Sequence, residues 1–208
     1  MKTKHPFAQQ QKDYIYISEF DDISLESFIA DFSDLERDPH VAIIAIYISS
    51  YGGDAYTLTA MRDMIKSSIK PVATIAIGKA MSCGALLLAA GTPGYRWASK
   101  STEIMMHEVS SGEIGKASDV IQHAQDLDKL NRRILTAFAE DIDISYDKLK
   151  AEFKERSNTD WYLTPQEAKK WGMIDTIGLP RIGMIPEMVV LATNENQAKK
   201  KKARKAKS

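Results

Sequence analysis

Ser82 stands where an apolar run hands over to an Ala/Leu-rich stretch, in Gly78-Lys79-Ala80-Met81-Ser82-Cys83-Gly84-Ala85-Leu86-Leu87-Leu88-Ala89-Ala90-Gly91. A serine at a helix start is most often an N-cap, its hydroxyl accepting a backbone N–H. The same position suits a nucleophile, because neighbouring N–H groups and the helix dipole favour the oxyanion formed in acyl transfer. Gly84 and Ala85 leave room there for a substrate. The segment is not the G-x-S-x-G elbow of the α/β-hydrolases, since Ala80 stands two residues before Ser82. It is not a nucleotide-binding loop either: Ala73 and Ala80 occupy positions where that motif needs glycine and Ser/Thr.

A serine hydroxyl becomes an effective nucleophile when a base takes its proton. Of the 4 histidines, His5 lies in the polar N-terminal segment, His40 beside Pro39, and His123 on the polar face of a predicted helix. His107 ends the short apolar run Ile104-Met105-Met106 and opens the loop Glu108–Gly115, the kind of strand end where α/β folds place reacting groups. The base needs a carboxylate to hold its tautomer, and with 28 acidic residues the composition selects none. A second segment, Ser49-Ser50-Tyr51-Gly52-Gly53-Asp54, follows another apolar run. Its Gly-Gly pair permits positive φ and uncovers backbone N–H groups, although a plain strand-to-helix turn would use it too.

Hydrophobic patterning supplies the elements that must carry these residues. Strands are predicted at Tyr14–Ser18, Val41–Ile48, Val72–Ile77, Tyr95–Ala98, Ile104–Met106 and Met173–Ile177. Helical spacing relates Ala55, Leu58, Met61 and Ile65, then Val120, Ala124, Leu127, Ile134 and Phe138, then Tyr146, Leu149 and Phe153. Thr164-Pro165-Gln166-Glu167 reads as a capping box with proline at the first helical position, and Gly172 as the stop, predicting a helix over 165–171. Strands alternating with helices indicate an α/β domain on a largely parallel sheet.

At 208 residues and 44% hydrophobic content, the chain can bury one sizeable core. The one cysteine, Cys83, forms no internal disulfide and suits a reducing compartment, so a cytoplasmic protein is expected. Residues 1–13 are polar and lack the apolar core of a signal peptide; the longest apolar runs are too short to span a bilayer, so no membrane partner is expected. No metal or cofactor is expected. The net charge of zero hides a split: seven Lys/Arg lie within 199–207, leaving 21 basic against 28 acidic residues in 1–198. The organisation expected is a flexible segment 1–13, a catalytic domain 14–192 and a disordered basic tail 193–208 that solubilises the chain or binds a polyanion or acidic partner.

Four ordered blocks between Tyr14 and about Gly178 resemble ClpP, the proteolytic subunit of the Clp proteases: ISSYGGD (48–54), IGKAMSCGALLLAAG (77–91), STEIMMHEVSSGEIGKASD (101–119) and TDWYLTPQEAKKWGMID (159–175). The resemblance implies a triad of Ser82, His107 and Asp160, with the backbone N–H groups of Gly53 and Cys83 as oxyanion donors. It implies substrate contacts at Gly52, Asp54, Gly112 and Ile114, with 112–116 extended beside bound peptide. It also implies the ClpP/crotonase-like fold, a protruding handle helix at 118–139, heptameric rings that stack around a chamber, and a separate ATPase unfoldase delivering unfolded polypeptide. The match departs from the family pattern in places. Tyr51 replaces the usual proline, Cys83 the usual methionine, and Asn158-Thr159 an acid and an arginine; the axial-gate segment is expected to be short, and the basic tail has no counterpart. A crotonase-type acyl-CoA enzyme would share the fold but would not need the three triad residues. A signal-peptide peptidase with a Ser-Lys dyad would want a membrane anchor, and a silent ring scaffold would not keep all three residue types.

Overall fold

The computed structural model describes residues 13–156, 160–182 and 190–191. Its framework is a seven-stranded sheet in which β1 (Ile15–Ile17), β2 (Ile44–Ser50), β3 (Val72–Met81), β4 (Arg96–Ala98) and β7 (Thr176–Ile177) lie in that order, all parallel. β5 (Glu103–Met106) pairs parallel with the far end of β3, and β6 (Trp161–Leu163) pairs antiparallel with β5. The helices are α1 (Asp22–Arg37), α2 (Ala55–Ser67), α3 (Cys83–Ala90), α4 (Ala117–Asp141), α5 (Tyr146–Glu155) and α6 (Pro165–Lys170); a small pair, β8 (Arg181–Ile182) and β9 (Val190–Leu191), stands apart. The sequence-predicted α/β class with a mainly parallel sheet is the one observed.

β3 organises the molecule because its sequence is apolar on both faces. Val72 and Ala76 enter the main core with Phe28, Leu58, Met61, Leu87 and Phe138, while Ala73 and Ile75 enter a smaller cluster with Ile43, Ala45 and Trp97. Such two-sided burial is what a central parallel strand requires. α3 is buried at all eight positions, so a helix apolar all round fits only at the centre.

The predicted strand 72–77 runs on to Met81. Between β2 and β3 the register shifts: Ile48 faces Ala76 but Ser50 faces Ala80. Gly78 lies inside this irregularity with φ +71, the positive value a bulge demands and a side chain resists. Beyond it β3 changes neighbour: Thr74–Ala76 pair with β4, but Lys79–Met81 pair with β5. The predicted strand 173–177 shrinks to Thr176–Ile177. Met173 and Ile174 are buried instead in the turn closing α6, where the Met173 and Gly172 N–H groups donate to Ala168 and Lys169 O with Gly172 at φ +76. At its start α6 has the predicted capping box between Thr164 and Glu167.

The helix predicted over 118–139 extends from Ala117 to Asp141. Its buried residues, Ile134, Leu135, Phe138 and Ala139, lie in the C-terminal part, which Arg62 of α2 also holds by donating to Asp141. Val120 and Ile121 near its start are exposed. The segments 1–12 and 192–208, containing most of the expected N-terminal segment and the basic tail, lie outside the described residues.

Candidate active site

The C-terminal ends of β2, β3 and β5 converge, and the loops that leave them carry the chemistry-bearing residues. Ser82 follows β3 directly. Its N–H donates to Met105 O at 2.8 Å, extending the β3–β5 ladder by one rung, and its C=O accepts from Ala85 and Leu86 as α3 begins. Held from both sides, Ser82 takes φ +51 and ψ −121, a conformation that costs about 1–3 kcal/mol and persists only where its surroundings enforce it. The hydroxyl makes no capping bond to α3, so the commonest use of a serine at a helix start does not apply.

Gly52 and Gly53 follow β2 and press against this turn. A Cβ on Gly52, at φ +111, would stand 2.7 Å from Ser82 Cβ and 3.1 Å from Ser82 Oγ; one on Gly53, at φ +147, would collide with the Phe20 carbonyl. Glycine is required at both positions for steric as well as torsional reasons. The loop is tied down by Ser50 Oγ, which accepts from Gly52 N (3.0 Å), and by Asp54 N donating to Phe20 O (2.8 Å). The Lys79 ammonium covers the Tyr51 ring 3.8 Å from its centroid. The Asp54 carboxylate accepts from Thr57 N at 2.8 Å and thereby caps α2.

His107 follows β5 and is half-buried; Asp160 precedes β6 and is exposed. The β5–β6 register pairs Ile104 with Leu163, Met105 with Tyr162 and Met106 with Trp161. Continued one step past Met106 and Trp161, that register would set His107 opposite Asp160. Ser82 and His107 thus follow, and Asp160 precedes, strands at one end of the sheet, although dozens of positions separate them. Among the described residues no hydrogen bond links Ser82 Oγ, His107 and Asp160.

Ser82, Cys83 and His107 line a cavity of about 330 Å³ together with Gly53 and Asp54. Leu58, Leu86, Leu127, Leu130 and Ile134 supply its apolar wall, and Glu108, Ser111, His123 and Asp126 its polar side. Burial pushes the Cys83 thiol pKa up, so this cysteine stays protonated beside Ser82. Gly112 and Ile114 lie in the loop between β5 and α4, away from the cavity lining, with Ile114 99% exposed.

Two residues of α4 to which the sequence reading assigns no role hold the loop after His107. His123 Nε2 meets Ser111 Oγ at 3.2 Å, and Asn131 accepts from Val109 N (3.0 Å) while donating to Glu108 (3.1 Å), so α4 holds the loop that follows His107. Their i, i+8 spacing places both on the helix face that carries Leu127 and Leu130, a signal available before folding. Asp175, the other aspartate of the last block, is committed to Arg96, which donates to both its oxygens.

The family model of Clp protease matches residues 7–181. The chain belongs to the Clp protease family. Membership implies a peptidase of serine type, and the ends of β2, β3 and β5 are where this Clp protease family chain gathers a serine, a histidine and a glycine pair. Among the described residues no helix is long and apolar enough to cross a membrane, and no group of three or more metal-ligating side chains occurs.

Proposed function

We propose that this member of the Clp protease family is a serine endopeptidase with Ser82 as nucleophile, His107 as general base and Asp160 as the carboxylate that orients His107. The observation that carries the reading is Ser82 itself: a hydroxyl not used for capping, held on a strained turn and lining a cavity shared with His107. The β5–β6 register, continued one step past Met106 and Trp161, supports the third role.

In the acylation step Ser82 Oγ adds to the scissile carbonyl carbon as His107 takes its proton. The oxyanion is met by the backbone N–H groups of Gly53 and of Cys83, the latter at the positive end of α3. His107 then gives the proton to the leaving amine, and water repeats the sequence on the acyl-enzyme. Asp160 holds the imidazole tautomer without taking the proton. Gly52 and Asp54 would contact an extended substrate backbone at the cavity, and Gly112 and Ile114 would do so beyond it, from the loop before α4.

The substrates are short peptides and unfolded polypeptides, cut inside a chamber formed by rings of this chain as a domain over 14–192. The exposed Val120 and Ile121 of α4 support burial against another copy. A separate ATPase unfoldase would deliver folded substrates, since unfolding a domain requires about 5–15 kcal/mol. The basic tail, residues 193–208, would bind an acidic partner or polyanion.

Labelling the intact protein with a fluorophosphonate and mapping the adduct tests the nucleophile directly: it should fall on Ser82. Ser82→Ala should abolish labelling and lower peptide hydrolysis by roughly 10⁴-fold or more, since a triad works as a unit. Near-normal turnover in that variant, or an adduct elsewhere, would refute the assignment.

A further inference from the structure

The thiol of Cys83 lies against the glycine loop. Its Sγ lies 3.3 Å from Gly53 O and 3.7 Å from Asp54 O, and the residue is 5% exposed. Because burial keeps the thiol protonated, it is available as a donor. Gly53 most needs such a partner: at φ +147 without a side chain, nothing in its own residue locks its peptide planes.

The plane between Gly53 and Asp54 is held at both ends, by the thiol at Gly53 O and by Asp54 N donating to Phe20 O. The plane before Gly52 is held by Ser50 Oγ. The Gly53 N–H therefore sits between two anchored peptides, and one anchor belongs to the residue whose own N–H is the second oxyanion donor.

We propose that Cys83 is a positioning residue: its S–H, donated to Gly53 O, fixes the spacing between the two backbone N–H groups that receive the oxyanion. This rests on the assignment of Gly53 and Cys83 as oxyanion donors under the proposed function. The methyl of an alanine would leave the backbone of α3 unchanged and remove only the tether. An S–H bond is weak, so the effect is modest and lies in the transition state.

The test has two independent parts, both on the full chain. Because the protein holds 1 cysteine, the Raman S–H stretching band reports Cys83 alone; a band shifted down from that of a free thiol is expected, and a free-thiol band overturns the proposal whatever the activity. Steady-state hydrolysis of a fluorogenic peptide is then compared among wild type, Cys83→Ala and Cys83→Ser, with binding of a peptide boronic acid against the matching peptide carboxylic acid. Cys83→Ala should lower kcat and boronate affinity about three- to ten-fold, leaving KM and carboxylic-acid affinity unchanged; Cys83→Ser, which keeps a donor, should recover part of the loss. Unchanged kcat, a loss confined to KM, or equal behaviour of the two variants overturns it. If wild type neither hydrolyses the peptide nor binds the boronate, the peptidase reading itself fails and takes this inference with it, even with a shifted S–H band.

Discussion

Asp160 and Asp175 lie in one sequence block, and the structure assigns them opposite surroundings, so exchanging each carboxylate for an amide should separate stability from catalysis. Asp175 Oδ1 accepts from Arg96 Nη2 (2.8 Å), and Oδ2 from Arg96 Nε (2.9 Å), Gly94 N (2.7 Å) and Arg96 N (3.1 Å). The Arg96 side chain is 7% exposed and that of Asp175 24%. Removing one partner of a buried ion pair costs about 3–5 kcal/mol, because the other charge is left uncompensated. Two features lower that figure here. The guanidinium keeps carbonyl acceptors at Asp141 (3.1 Å) and Ala89 (3.4 Å), and asparagine retains one oxygen for the Gly94 N–H. We therefore expect Asp175→Asn to destabilise by about 2–3 kcal/mol, lowering Tm by about 4–12 °C for a domain of this size. Peptide hydrolysis per folded molecule should stay within about two-fold. Asp160 is exposed, so Asp160→Asn should leave Tm nearly unchanged while costing on the order of 10⁴ in kcat through the wrong tautomer of His107. The assay is calorimetry and fluorogenic-peptide turnover on both variants at one protomer concentration, since assembly shifts apparent stability. The reasoning is refuted if Asp175→Asn melts with wild type yet loses turnover, or if Asp160→Asn unfolds the protein while leaving the residual folded fraction fully active.

Gly52→Ala places a methyl 2.7 Å from Ser82 Cβ at φ +111, so we expect a folded protein by circular dichroism with peptide turnover down by about 10²-fold; full activity would show that the loop need not press on Ser82. Light scattering should give a species several times the 23.2 kDa protomer mass, and a monomer alone across micromolar concentrations would remove the ring from the proposal.

Much of the framework was legible in the chain, because its signals are local. Two-sided apolar runs marked the buried strands, and Thr164-Pro165-Gln166-Glu167 marked α6 with its capping box. Ser82 and His107 were singled out by where apolar runs end, and both lie at strand ends. What depends on pairing between distant segments had no such signal. No local periodicity announced that β3 would bulge at Gly78 and exchange β4 for β5, although this exchange carries the Ser82 turn to Met105. Composition could not choose among 28 acidic residues; the β5–β6 pairing brings the strand after Asp160 beside the strand before His107, while Arg96 takes Asp175. Nothing local to Cys83 signals that its thiol meets Gly53 O, thirty positions away. A sequence period reports which face of an element is apolar; which atoms of two elements meet is decided when the sheet closes, because register is a property of pairs of strands.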